Sequence, residues 1–122
     1  MEDANGRKVF TLEEVLEVNP TQYVTVEYGE GLLRLGSQSS LGILEWLESN
    51  DNEATKKDSG LRLLVASLVG PNGERVPKEQ FDLYMNRFKT KDAKANGLAV
   101  AAALELNGIS HVIKRLTDAK NV

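Results

Sequence analysis

Hydrophobic and polar residues alternate with a period of two in one stretch of this 122-residue chain, Tyr23 to Gly36, and recur at helical spacing almost everywhere after it. Tyr23, Thr25 and Glu27 alternate with Val24, Val26 and Tyr28. Gly29-Glu30-Gly31 then reverses the chain into Leu32, Leu33, Arg34 and Leu35, the pattern of a β-hairpin. Upstream, Thr11 and Glu14 have the spacing of a reciprocal helix cap, and Phe10 is placed to pack back on Val15, which predicts a short helix ended by Asn19-Pro20.

Downstream of the hairpin, Ser37 to Ser49 carries Leu41, Ile43, Leu44 and Leu47 on one broad helical stripe, with Trp46 off its centre. After a polar interval, Leu61, Leu64, Val65 and Leu68 mark a buried helix face, widened by Leu63, Ala66 and Val69, for a helix starting between Thr55 and Gly60. Gly70-Pro71-Asn72-Gly73 is the strongest turn signal in the chain. Pro77 suits the first position of the next helix, whose face is Phe81, Tyr84, Met85 and Phe88. Lys89 to Asn96 reads as polar, and Gly97 to Leu106 as an Ala- and Leu-rich helix stopped by Asn107-Gly108. A mid-helix Gly97 costs about 1 kcal/mol relative to Ala, so a helix start or a close helix crossing is expected there. Val112, Ile113 and Leu116 can form a final short helix. The expected fold is therefore α+β and mostly α-helical, a small N-terminal β-hairpin followed by a bundle of four or five short helices. Residues 10–116 form its single domain, between a flexible N-terminus (1–9) and a flexible C-terminal tail (117–122).

Composition changes this picture little. At 13.4 kDa, with 41% hydrophobic and 6% aromatic residues, the chain can build one modest core, chiefly from Leu, Val and Ala. Fifteen basic residues against eighteen acidic ones give a net charge of −3, the wrong sign for a nucleic-acid binder. Lys56-Lys57 and the group Arg87, Lys89, Lys91 and Lys94 lie among acids and read as solvated surface. With no cysteine there are no disulfides, thiolate metal sites or cysteine nucleophiles. The polar start carries no signal-peptide pattern, and no run approaches the ~18 apolar residues of a membrane span. A soluble cytoplasmic chain is expected.

Candidate chemistry is sparse. His111, the single histidine, follows a helix stop and has no glycine-framed serine to serve, so it reads as a helix-end residue rather than a catalytic base or a ligand. The paired acids Glu13-Glu14, Glu27 with Glu30, and Glu45 with Glu48 lack an apolar pocket or a basic partner to shift them apart, and read as solvated faces. Gly29-Glu30-Gly31 and Gly70-Pro71-Asn72-Gly73 are too short for phosphate-binding loops. No catalytic residue, metal site or cofactor is expected. Trp46 is the one candidate protein-binding residue, with a core role as the stronger competing reading, and the Phe81 stripe reads as core before interface.

Three pieces occur in an order that resembles a known family: the strand pair from Tyr23 to Ser37; Leu61-Arg62-Leu63-Leu64 running into Gly70-Pro71-Asn72-Gly73-Glu74-Arg75-Val76; and Leu104-Glu105-Leu106-Asn107-Gly108-Ile109. The chain is similar in this to the tail assembly chaperones of long, flexible-tailed (siphovirus-type) bacteriophages. Members of that family often carry Pro where this chain has Glu27, and Phe-Thr or Phe-Ser where it has Val76-Pro77. The resemblance implies a non-enzymatic helper that binds the tape measure protein, keeps it soluble, and recruits subunits of the major tail tube protein, with self-association as a further expectation. It implies action in the host cell cytoplasm, absence from the mature virion, and a longer partner product made by programmed frameshift, this chain being the short form. No nucleic acid and no membrane partner is implied.

Two other readings compete. A small DNA-associated regulator would use Arg87, Lys89, Lys91, Lys94, Lys114 and Arg115 on phosphates, and a phage structural tail or connector subunit would stay in the particle.

Overall fold

The computed structural model describes residues 6–18, 21–49 and 58–109. It is an α+β fold, mostly helical: a short helix α1 (Leu12–Glu17), an antiparallel hairpin β1 (Tyr23–Tyr28) and β2 (Gly31–Gly36), then α2 (Ser40–Ser49), α3 (Ser59–Ser67), a 3-10 turn (Lys78–Gln80), α4 (Phe81–Lys89) and α5 (Ala93–Leu106). The expected final helix around Val112 to Leu116 lies outside the described residues.

The hairpin closes as its residues dictate. Tyr28 pairs with Gly31 across a two-residue loop, and Gly29 alone of the two takes a positive φ, +61°, as in the II′ turn that suits strand twist. Val24, Val26 and Tyr28 share one face with Leu33 and Leu35, and that face packs on α5 and α3. The other face keeps Thr25, Glu27 and Leu32 in solvent, with the Arg34 guanidinium 4.6 Å from the centre of the Tyr23 ring. An isolated hairpin of this length is marginal in water, so its packing face is what holds it.

At the centre lies α3, where Leu63, Leu64, Val65 and Ser67 are all buried because α2, α4, α5 and β2 surround it. The burial of three consecutive residues is broader than an amphipathic stripe. On α5 the buried positions are Asn96, Ala99 and Ala103, one face of small side chains that lets the helix lie close to its neighbours. A close crossing lies at Gly60, where a Cβ would stand 2.8 Å from Val100 Cγ1. Gly97, by contrast, faces open space. The close crossing expected there is absent, and its place near the helix start is the alternative that holds. That helix begins at Ala93, before Gly97, because the Asp92 carboxylate accepts from the Ala95 N–H at 2.9 Å and caps it. The polar run to Asn96 is thus partly helical, and Asn96 is buried rather than solvated. Its amide donates to the Phe88 carbonyl at 2.7 Å, and its Oδ1 accepts from the Tyr28 hydroxyl.

The Phe81 to Phe88 stripe is core, with Met85 and Phe88 buried and Tyr28 meeting Phe88 edge to face at 5.8 Å. Pro77 stands one residue earlier than the sequence pattern suggested: it precedes the 3-10 turn, and the α-helix itself starts at Phe81. Gly70-Pro71-Asn72-Gly73 is a turn as read, with Gly73 at φ +81° and Val69 bridged to Arg75. Asn107-Gly108 ends α5, Gly108 taking φ +70°, and delivers Ile109 into the core.

One correction concerns α2. Its leucine stripe does not face the interior. Ile43 and Trp46 pack against the core, while Leu41, Leu44 and Leu47 are 65%, 56% and 41% exposed. The physical reason is the Trp46 indole, whose Nε1 donates to the Ser59 carbonyl at 2.7 Å and orients the helix so that the larger ring lies inward.

Candidate functional site

No group of three His, Cys, Asp or Glu side chains lies close enough to hold a metal ion among the described residues. The exposed apolar surface is the molecule's most distinctive chemical feature. It is densest in two places, with Leu32, Leu83 and Leu98 exposed elsewhere.

The first is α1. Thr11 caps it through its hydroxyl, which accepts from the Glu14 N–H at 3.2 Å, while the Glu14 carboxylate accepts from the Thr11 N–H at 3.1 Å. Lys8 pairs with the same carboxylate. The Lys8 ammonium, and then the Thr11 N–H, hold the Glu14 carboxyl below its usual range. These contacts define the helix start, yet α1 buries no residue. Leu12 and Leu16, one turn apart, are 88% and 86% exposed, and Phe10 and Val15 are also in solvent.

The second place is the outward stripe of α2, Leu41, Leu44 and Leu47, spaced at successive three-residue steps on one helix face. On another face of α2, lined by Gly42, Glu45, Trp46 and Ser49, opens a cleft of about 920 Å³ between the β2–α2 connection, α2, α3 and the segment leading to α4. Trp46 and Phe81 supply aromatic wall, Ser37, Ser39 and Ser40 hydroxyl groups, and Arg62 a guanidinium 5.3 Å from the Phe81 ring centre. Ser39 caps α2, accepting from the Gly42 N–H at 3.1 Å.

Behind the cleft stands a polar clamp that sequence reasoning missed. Arg75 Nη1 donates to the Gly36 carbonyl at 2.9 Å and to the Ser67 carbonyl at 3.4 Å, and Nη2 to the Ser37 carbonyl at 2.9 Å. It thereby places positive charge at the C-terminus of α3, where carbonyls lack helical partners. Asn107 ties the same region together: its Oδ1 accepts from the Gln38 N–H at 2.6 Å, and its amide donates to Ser67 Oγ at 3.1 Å and the Ala103 carbonyl at 2.8 Å. The Gln38 side-chain amide donates to the Ala66 carbonyl. A side chain reaching across 69 residues leaves no periodic mark; only the helix-stop role of Asn107 was readable.

The remaining sequence candidates are dispersed. Trp46 is half-buried, one face toward the core and one edge on the cleft. Glu45 and Glu48 are exposed on α2, as are Glu27 and Glu30 on the hairpin. Arg87, Lys89, Lys91 and Lys94 are exposed, with Lys89 paired to Asp58 at 3.0 Å. His111, Lys56-Lys57, Lys114 and Arg115 lie outside the described residues. Burial pushes the Tyr28 hydroxyl above its ordinary pKa, helped by the Asp92 charge, and its role is structural, on Asn96. The arrangement offers surface for contact, with hydroxyl and guanidinium groups for orientation. No helix among the described residues is long and apolar enough to cross a membrane. Comparison with protein-family models, with curated proteins and with solved structures returns no match.

Proposed function

We propose that this chain is a tail assembly chaperone of a long, flexible-tailed bacteriophage, a non-enzymatic protein that covers apolar helical segments of the tape measure protein, keeps it soluble, and recruits tail tube subunits. It acts in the host cytoplasm and leaves before the virion is complete. The observation that carries this reading is the outward leucine stripe of α2. Leu41, Leu44 and Leu47 lie outside the buried core formed by the described residues, and such a face is suited to lie along an amphipathic helix of another protein. The order of the hairpin, the Leu61 helix with its Gly-Pro-Asn-Gly turn, and the closing Leu106-Asn107-Gly108-Ile109 element supports the same reading through its resemblance to that family.

Co-expression with the tape measure protein tests the proposal. The chain is expected to raise the soluble fraction of that protein, and a Leu41→Ser, Leu44→Ser, Leu47→Ser variant is expected to fold yet fail to do so. Unchanged solubility with the unaltered chain would refute the reading. Purified virions are expected to lack the chain, whereas a structural tail subunit would be retained in them.

A further inference from the structure

Along α4 runs a second groove, of about 470 Å³. Its floor is apolar: Leu33 from β2, Leu68 beyond α3, and Tyr84 and Phe88 from α4. Leu83 stands at its lip, 51% exposed. Leu83, Tyr84, Arg87 and Phe88 line it from α4, with Gln80 before the helix and Lys91 after it, so the groove runs along the helix.

Charge says what fits it. Arg87 and Lys91 line the groove, no acidic side chain does, and neither cation makes an ion pair among the described residues, although their neighbour Lys89 is held by Asp58. Two cations without ion partners beside an apolar floor, in a chain of net charge −3, form a complementary surface for an anionic amphipath. We propose that this groove docks an acidic amphipathic helix of a partner protein. Its apolar side chains, one turn apart, seat against Leu33, Leu68 and Phe88, and its flanking carboxylates meet Arg87 and Lys91. The inference rests on the groove alone and is independent of the function proposed above.

The test is fluorescence anisotropy with a labelled synthetic helix carrying Leu at one-turn spacing and Glu at the flanking positions, set against the same peptide with Lys for every Glu. The Glu peptide is expected to bind at least roughly tenfold more tightly, and more weakly as salt rises. The R87E/K91E variant is expected to reverse the preference, a gain of Lys-peptide binding that misfolding cannot produce. Leu83→Glu, with helicity checked by circular dichroism, is expected to weaken the Glu peptide by a similar factor. Equal binding of the two peptides, no binding of either, or a preference untouched by R87E/K91E would overturn the proposal. Sedimentation of the chain alone decides the other occupant: a dimer that dissociates in R87E/K91E and equally in Leu12→Ser, Leu16→Ser would assign the groove to the acidic α1 of a second copy, against the inference.

Discussion

Two helices of similar length, α2 and α3, carry similar numbers of leucines and use them in opposite ways. On α3, Leu63, Leu64 and Val65 are buried on every side, whereas on α2 the residues facing inward are Ile43 and Trp46 and the leucines face out. Helical spacing in a sequence says that a stripe exists. Which stripe turns inward depends on what the neighbouring elements leave open, here a hydrogen-bond acceptor at Ser59 for the indole. The difference separates a helix whose leucines build the core from one whose leucines lie largely at the surface.

Core truncation breaks that comparison most sharply. Leu64→Ala is expected to cost about 2–5 kcal/mol in urea unfolding, through lost transfer energy and the cavity left behind. Leu44→Ala should change stability by no more than about 0.5 kcal/mol, as for an ordinary surface position. If the two costs were equal, the assignment of inner and outer faces would be mistaken.

Glycine replacement gives a smaller contrast. At Gly36 a Cβ would stand 2.8 Å from Val69 Cγ2 and 3.1 Å from both Arg75 Nη2 and Tyr23 Cε1, so Gly36→Ala should destabilise by about 1–3 kcal/mol through overpacking. Gly97→Ala meets nothing and should stabilise by about 0.4–1 kcal/mol by restricting the unfolded chain. Thermal unfolding of the pair reads both signs, and a stabilising Gly36→Ala would contradict the packing described.

Cap removal sharpens the same division further. Asp92→Ala should lower global stability by about 1 kcal/mol, because α5 is packed into the core. Thr11→Ala removes an equivalent bond but should leave the global unfolding midpoint in place, since α1 buries no residue. The loss would show only as faster amide exchange over Leu12–Glu17.

The smallest effect is in pH. Glu14 has a lowered pKa, so its contribution to α1 is fully present above the ordinary carboxylate value of 4.5 and is lost as pH falls through the depressed one. The Thr11 amide shift, which reports the Glu14 carboxylate that it donates to, should therefore titrate below that value. Glu14→Gln should remove that component from the Thr11 amide.

Much of this was legible along the chain. The hairpin with its Gly29 turn, the start of α3, the turn at Gly70 to Gly73, the Thr11–Glu14 cap and the Asn107-Gly108 stop all follow from local chemistry, in which one residue type at one offset has one strong physical use. What escaped depends on distance. The outward rotation of α2 depends on a partner in the next helix, and the burial of Asn96 within a run of charges and the clamp of Arg75, Gln38 and Asn107 on partners tens of residues away, about which pattern along the sequence carries no information. The leucine stripe of α2 was visible as a stripe, yet its role as exposed surface was not.

The most direct test of the account is hydrogen–deuterium exchange on this chain, alone and bound to the tape measure protein. Slowed exchange is expected at Leu12–Glu17 and Ser40–Ser49, with Leu63 to Val65 and the body of α5 unchanged. A complex that forms while exchange at both of those helices stays as in the free chain would contradict it.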